Sequence, residues 1–253
     1  MNVMVDAAQK AGRALIRDFG EIENLQVSKK GPGDFVSNAD QKAETIIREI
    51  LEKARPKFSF LLEESGAIKG EDTEHCWIAD PLDGTTNFLH GIPHWSVSIA
   101  LEKSGEVIAG VVYDPVKDEL FTAEKGIGAQ MNNRRLQVAA RNNLSDCVIA
   151  VGAGYDPSLL AQDSGAVTRS FGSACLDLCY VAAGRIDGYM EEKPYPWDKA
   201  AGALIVREAR GVATDLSGNK NVVHGVGVLA ANPPLHAALL ERLGNADKMK
   251  SAS

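Results

Sequence analysis

The sequence predicts a layered α/β fold built as two lobes. Three observations carry that expectation. Apolar residues recur at helical spacing through the first 54 residues, strand-like runs follow to about 140, and strand and helix then alternate to about 245. A chain of 253 residues, 45% hydrophobic and 24% charged, has the size and composition of one large domain or two intimate lobes. No repeat, low-complexity tract or long linker interrupts it. The expectation is one domain over 1–253, with an α+β lobe at about 1–140, an α/β lobe at about 141–245 and a mobile tail at 246–253.

Met4, Ala8, Ala11, Leu15 and Phe19 fall on one helical face, and Gly20 is a stop. Ala43, Ile46, Ile47, Ile50, Leu51 and Ala54 mark a second helix, with Ser37 as a cap and Pro56 as its end. Strand-like runs come next at 58–62, 76–79, 95–102, 107–114 and 119–124. Ser104-Gly105 turns one hairpin, and Asn132-Asn133 turns another within 126–138. "CVIAVG" (147–152) reads as a buried strand and "SACLDLCYVAAG" (173–184) as a helix stopped by Gly184. "DGYME" (187–191) is a short strand, "DKAAGALIVREAR" (198–210) a helix stopped near Gly211, and 226–232 and 233–244 a last strand and helix.

The net charge of −7 and the absence of a Lys/Arg-rich block argue against a nucleic-acid partner; the basic Asn132–Arg135 segment is a hairpin tip. Cys76, Cys147, Cys175 and Cys179 are scattered too widely for a disulfide framework and read as small core residues. The N-terminus has no signal-peptide pattern, and no apolar run reaches the roughly 20 residues of a membrane span. A soluble, reducing, cytoplasmic setting is the expectation.

Five carboxylates lie at element ends: Asp40, Glu63, Asp80, Asp83 and Asp198. Asp80 and Asp83 stand out, because "WIADPLDGTTNF" (77–88) ends a strand between them and opens a turn at Gly84. Carboxylate, carbonyl and water oxygens suit a hard ion such as Mg²⁺. Gly84-Thr85-Thr86 can begin a helical turn whose free N–H groups face a phosphate, and the Thr85 hydroxyl can orient a water. Each feature alone has a plainer meaning. D-P-x-D-G makes a good turn, Asp198 can cap a helix, and Glu63-Glu64 can be a solvated loop. Their joint occurrence favours metal and phosphate chemistry.

"EESG" (63–66), "DPLDGTTNF" (80–88), "GSACLDL" (172–178) and "WDKAAGALIVREA" (197–209) together resemble the inositol monophosphatase family of Mg²⁺-dependent, Li⁺-sensitive phosphatases, over about residues 3–244. The resemblance implies an αβαβα sandwich of the inositol monophosphatase/fructose-1,6-bisphosphatase type, usually a homodimer. It implies that Glu63, Asp80 and the Leu82 carbonyl hold one Mg²⁺, that Asp80, Asp83 and Asp198 hold a second, and that Glu63 helps a weaker third. Thr85 and Asp40 would position the attacking water, and Lys29 would serve as the mobile-loop lysine, with Lys30 as its neighbouring alternative. Gly84 and Thr85 would hold the phosphate, while Gly172, Ser173, Ala174 and Glu191 would line the pocket for a phosphorylated polyol or sugar. The implied reaction is in-line attack of water on a phosphate monoester, inositol 1-phosphate first. 3′-Phosphoadenosine 5′-phosphate, fructose 1,6-bisphosphate and histidinol phosphate are the alternatives, as is an added regulatory protein-binding role.

The chain departs from the family pattern in four places. Arg210 replaces the first glycine of E-A-G-G, and Cys175 stands where alanine is more usual. "EEKPYPWD" brings prolines ahead of Asp198, which should stiffen that loop. Ala153–Thr168 is short, and Gly152, Gly154, Pro157 and Gly165 interrupt any helical run there. That segment is expected to be a loop without a long helix, which bears on the pocket wall and the dimer contact more than on the chemistry.

Overall fold

The computed structural model describes residues 1–20, 27–31, 34–153 and 164–251, with side chains for 1–20, 38–153 and 164–244. Two helices open the chain, α1 (Asn2–Phe19) and α2 (Asn38–Ala54), on either side of a hairpin of β1 (Val27–Gly31) and β2 (Asp34–Ser37). The hairpin was not anticipated. Side chains at 21–37 lie outside the described residues, and the proposed cap at Ser37 with them.

An eight-stranded sheet follows. It contains β3 (Ser59–Leu62), β4 (Gly66–Ile68), β5 (His75–Asp83), β6 (Ser96–Lys103), β7 (Glu106–Asp114), β8 (Glu119–Glu124), β9 (Gly128–Met131) and β10 (Arg134–Arg135). Their order is β10-β9-β8-β7-β6-β5-β3-β4, and only β3 and β5 run parallel. Asn132 and Asn133 both take positive φ (47° and 64°) at the predicted hairpin tip.

A five-stranded sheet comes from the rest of the chain. It contains β11 (Val148–Val151), β12 (Val167–Arg169), β13 (Gly188–Glu191), β14 (Val212–Thr214) and β15 (Val228–Ala231), in the order β12-β11-β13-β15-β14. Between the sheets lie α4 (Ala174–Ala182) and α5 (Pro196–Glu208). The one-turn helix α3 (Thr85–Leu89) precedes both, and α6 (Pro233–Ser251) closes the chain. α6 runs past Gly244 into the tail that was expected to be mobile. The residues that follow carry ordinary helix propensity, and nothing there stops the helix. The expectation of a loop at 153–168 falls mostly on 154–163, outside the described residues; Val167–Arg169 forms β12.

Side-chain alternation sorts the strands into layers. On β5, Trp77 and Ala79 face α1 and α2 while Ile78 faces α4 and α5. On β13, Tyr189 faces the middle helices while Met190 packs with Leu235 and Leu239 of α6. Three apolar clusters therefore separate five layers: α1–α2, the large sheet, α4–α5, the small sheet and α6. This is the αβαβα sandwich.

The middle layer is packed closely because α5 carries small residues on both flanks. A Cβ on Gly110 of β7 would come within 3.0 Å of the Ala201 carbonyl oxygen, and one on Gly202 within 2.6 Å of Leu178 Cβ. The "AAG" of W-D-K-A-A-G is thus a contact surface between helix, sheet and helix. Gly202→Val overfills that contact and is expected to lower stability by about 1–3 kcal/mol, read from urea unfolding. An unchanged midpoint would mean that the helices can separate.

Candidate active site

The ends of β3 and β5, the N-termini of α3, α4 and α5, and the end of β13 enclose a cavity of about 310 Å³. Glu63, Asp80, Leu82, Asp83, Gly84, Thr85, Gly172, Ser173, Ala174, Glu191 and Asp198 all line it. Asp40 is not among the described residues that line it, and the Lys29 side chain lies outside the described residues. Asp40 is buried in the first turn of α2, and the Lys29 backbone pairs with Phe35 in the β1–β2 hairpin.

The spacing of Asp80 and Asp83 has a structural reason. Residues three apart on a regular strand face opposite ways. Here Asp80 pairs with Ser98 and Asp83 with Ser96, so β5 carries one more residue than its partner and bulges at Pro81-Leu82. Ser96 and Ser98 are two apart, so both aspartates point to one side. The proline suits the break because it has no N–H to donate. The Leu82 N–H instead donates to Asp80 Oδ1 (2.9 Å).

Asp83 reaches across to the second lobe. Its carboxylate accepts from the N–H groups of Ala174 (3.2 Å) and Cys175 (2.9 Å) and from the Ser173 hydroxyl. Ser173 is itself the cap of α4, accepting from Leu176 N–H. Asp198 closes a capping box at the start of α5 by accepting from Tyr195 N–H at 2.7 Å. Capping and cavity lining are compatible, because one oxygen serves each. Pro196 occupies the first turn, so α5 starts two residues before the predicted boundary. At its other end Arg210 adopts φ 67°, the left-handed turn that glycine would take without strain.

Gly84 has φ 94°, and a Cβ there would lie 3.1 Å from the His94 carbonyl oxygen and 3.3 Å from that of Gly172. Only glycine gives this turn its shape and its close approach. Thr85 Oγ1 donates to the Leu82 carbonyl (2.9 Å), which fixes the hydroxyl.

Several residues that hold the site were not singled out from the sequence. Asn87 Nδ2 donates to the carbonyls of His94 (2.8 Å) and Phe171 (2.8 Å), tying α3 to the approach to α4. Glu44 of α2 accepts from Glu64 N–H (2.8 Å) and the Ser65 hydroxyl, bracing the loop that carries Glu63. Lys199 is buried beside Asp198, with Nζ on the carbonyls of Gly225 (2.8 Å) and Gly227 (3.3 Å). Asp177 and Tyr189 line the cavity, and so does Tyr195, 61% exposed and stacked on Trp197 at 5.1 Å between centroids. Buried polar residues in helices carry no period of their own, so only the N of "GTTNF" offered a signal.

The electrostatics point to cations. Burial pushes Asp80 well above the usual carboxylate range, and Glu63, Asp83 and Asp198 push it further. Burial and then Asp83 raise Asp198 well above that range, with Glu191 and Glu63 adding to it. Burial also raises Asp83, against the donors from Ser173 and α4. Buried carboxylate and carbonyl oxygens converging in this way fit a hard divalent ion. The Cys175 thiol lies within 4.8 Å of Asp80 and Asp83 oxygens, yet burial raises it well above the ordinary thiol range, and it donates to the Asp198 carbonyl (3.1 Å).

A pH dependence follows. Acids whose folded-state pKa is raised stabilise the fold while protonated, and that contribution is lost as pH climbs above the ordinary carboxylate value of about 4 toward the raised one. The metal-free protein should therefore be less stable at pH 8 than at pH 5 at this site. Saturating Mg²⁺ should raise the thermal midpoint more at pH 8. Calorimetry at the two pH values checks this; an equal gain at both would detach the ions from these carboxylates.

Comparison with known proteins places this geometry. Residues 1–248 match the inositol monophosphatase family. An inositol-1-monophosphatase from Mesorhizobium japonicum is 54% identical over 253 residues, covering 95% of this chain and 94% of that protein. A protein named Nus factor SuhB from Pasteurella multocida is 41% identical, over 96% and 95%. The crystal structure of the extragenic suppressor protein suhB from Bartonella henselae superposes with a TM-score of 0.91 at 55% identity, over 96% and 97% of the two chains. With the match running the length of the chain and the same five layers in its solved relative, this chain belongs to the inositol monophosphatase family of phosphatases.

Proposed function

We propose that the chain hydrolyses inositol 1-phosphate to inositol and inorganic phosphate with Mg²⁺ as cofactor. The observation that carries this reading is the shared cavity, which Glu63, Asp80, Asp83 and Asp198 line together with Glu191. Glu63, Asp80 and the Leu82 carbonyl would hold one ion, Asp80, Asp83 and Asp198 a second, and Glu63 would help a third. Bound there, the ions supply positive charge to the phosphate and to the oxygens that gain charge during displacement.

The chain supplies position. The Thr85 hydroxyl proton is committed to the Leu82 carbonyl, so its oxygen presents lone pairs to a water. The family resemblance would have Asp40 share that water and Lys29 close over the site as its mobile-loop lysine. The N–H groups of Gly84 and Thr85 take phosphate oxygens at the start of α3. Gly172, Ser173 and Ala174 form the wall beside the sugar ring.

Glu191 serves as a pinned acceptor. It accepts from Ala153 N–H (3.1 Å) and the Tyr189 hydroxyl, and a Cβ on Gly152 would fall 2.4 Å from its Cδ. A carboxylate held that firmly suits a substrate hydroxyl. The reading takes the protein as a cytoplasmic homodimer without nucleic-acid partners. The family resemblance and the net charge of −7 support it, and among the described residues no helix is long and apolar enough to cross a membrane.

Relatives named Nus factor SuhB favour a second reading, an added protein-binding role. Asp83→Asn separates the two, since a binding role should outlive the loss of turnover.

Asp83→Asn is expected to lower kcat by at least about a hundredfold with the fold intact by circular dichroism. Near-normal turnover would remove Asp83 from the metal set. Glu191→Gln should raise KM for inositol 1-phosphate severalfold, and the loss in kcat/KM should stay within roughly two orders of magnitude. p-Nitrophenyl phosphate, which offers no hydroxyl, should be nearly indifferent to it. Equal harm to both substrates would assign Glu191 to the water or metal machinery instead.

A further inference from the structure

Asp177 is the buried carboxyl that the reaction above leaves without a task. It lies one turn into α4 and is 1% exposed. Its Oδ1 is buried and has no hydrogen-bond partner among the described residues. Its backbone N–H is already used, donating to the Ser173 carbonyl at 2.9 Å.

Three other buried aspartates outside the cavity, Asp114, Asp187 and Asp215, are well supplied with donors. Asp187 accepts from Arg141 Nε (2.7 Å) and Val148 N–H (2.9 Å). Asp114 accepts from the N–H groups of Val116 and Lys117, both at 3.0 Å, and from Lys117 Nζ at 2.6 Å. Asp215 accepts from Ser217 N–H, Asn219 N–H and Asn219 Nδ2. These are structural carboxylates, each saturated by the elements around it. A carboxyl oxygen left unsatisfied in the interior is costly, and a fold gains nothing by keeping it unless something else completes it.

The surroundings of Asp177 say what that is. Ser173 and Asp177 are four apart on α4 and share a face, while Leu176 and Leu178 point into the central core. Asp177 lines the cavity together with Tyr189 and Glu191. Burial, then the charges of Asp83 and Glu191, push its carboxyl well above the usual range.

Resting on the phosphatase reading, we propose that Asp177 is a specificity-determining residue, binding a hydroxyl of the alcohol beside the one that Glu191 binds. The site then has two polar contacts for the alcohol. It favours phosphate esters whose alcohol carries neighbouring hydroxyls over esters that carry none.

The test compares Asp177→Leu, near in size and without polar atoms, with Asp177→Asn, which keeps one donor and one acceptor. Steady-state constants are measured with Mg²⁺ on inositol 1-phosphate and on p-nitrophenyl phosphate. Asp177→Leu should raise KM for inositol 1-phosphate by about tenfold or more, with kcat changed far less and p-nitrophenyl phosphate unaffected. Asp177→Asn should restore KM to within about threefold of the parent. If Asp177→Leu harms both substrates equally, the residue only braces the α4 turn that holds Asp83, and the proposal falls. It falls too if neither substrate notices. Should Asp177→Leu fail to fold, Asp177→Ala gives the same comparison. A parent protein that hydrolyses neither ester overturns the phosphatase reading and this inference together; a normal parent with an indifferent Asp177→Leu overturns this inference alone.

Discussion

Carboxylates from separate stretches of chain must be brought to one buried point against their own repulsion. Two unit charges 4 Å apart repel by about 4 kcal/mol at the effective dielectric of a protein surface, and by more when enclosed. Each carboxylate in this site is held by a local device that offsets part of that repulsion. Asp80 has the Leu82 N–H, Asp83 the N-terminus of α4, and Asp198 its own capping box. Glu63 sits on a loop braced by Glu44. These devices come from both lobes, so the site exists only when the two sheets share the α4–α5 layer. The small residues of α5, Ala201 and Gly202, allow that sharing.

Asp83 carries the most of this burden. It ends β5 of the first lobe and receives the first N–H groups of a helix in the second. A helix N-terminus favours a negative charge, so this contact fastens the lobes together and keeps the carboxylate in place for a cation. The turn "GSAC" is short and polar for that reason. Its Ser173 hydroxyl and the N–H groups of Ala174 and Cys175 converge on one carboxylate.

The layers were legible wherever burial left a period. The long strands of the first sheet and the amphipathic helices appear in the sequence close to their observed bounds. β1, β2, β4, β12 and β14 did not, because these short strands lie at sheet edges or in the two-stranded hairpin, where the partner defines them more than their own pattern. The D-P-x-D motif marked the site, yet the bulge that turns both aspartates to one side shows only in the pairing with Ser96 and Ser98. Arg210 was legible as a departure. Its backbone keeps the left-handed turn regardless, with Gly211 N–H closing on the Val206 carbonyl at 2.9 Å. Asn87, Glu44, Lys199 and Asp177 were missed because a polar side chain in a sequence does not reveal which carbonyl, amide or cavity it faces.

The cavity divides its labour between the lobes. The first lobe lines it from the ends of β3 and β5 and the start of α3. The second lobe lines it from α4, β13, the start of α5 and the Gly152-Ala153 turn. On the proposed reading, substitutions at Asp177, Tyr189 and Glu191 would change which alcohol is accepted more than they change the carboxylate cluster. The exception is the Ser173–Cys175 turn, whose Ser173 and Ala174 line the cavity and which also holds Asp83. A change there moves both functions at once. Variation in substrate choice is therefore freer at Asp177, Tyr189 and Glu191, one turn or one strand further from that junction.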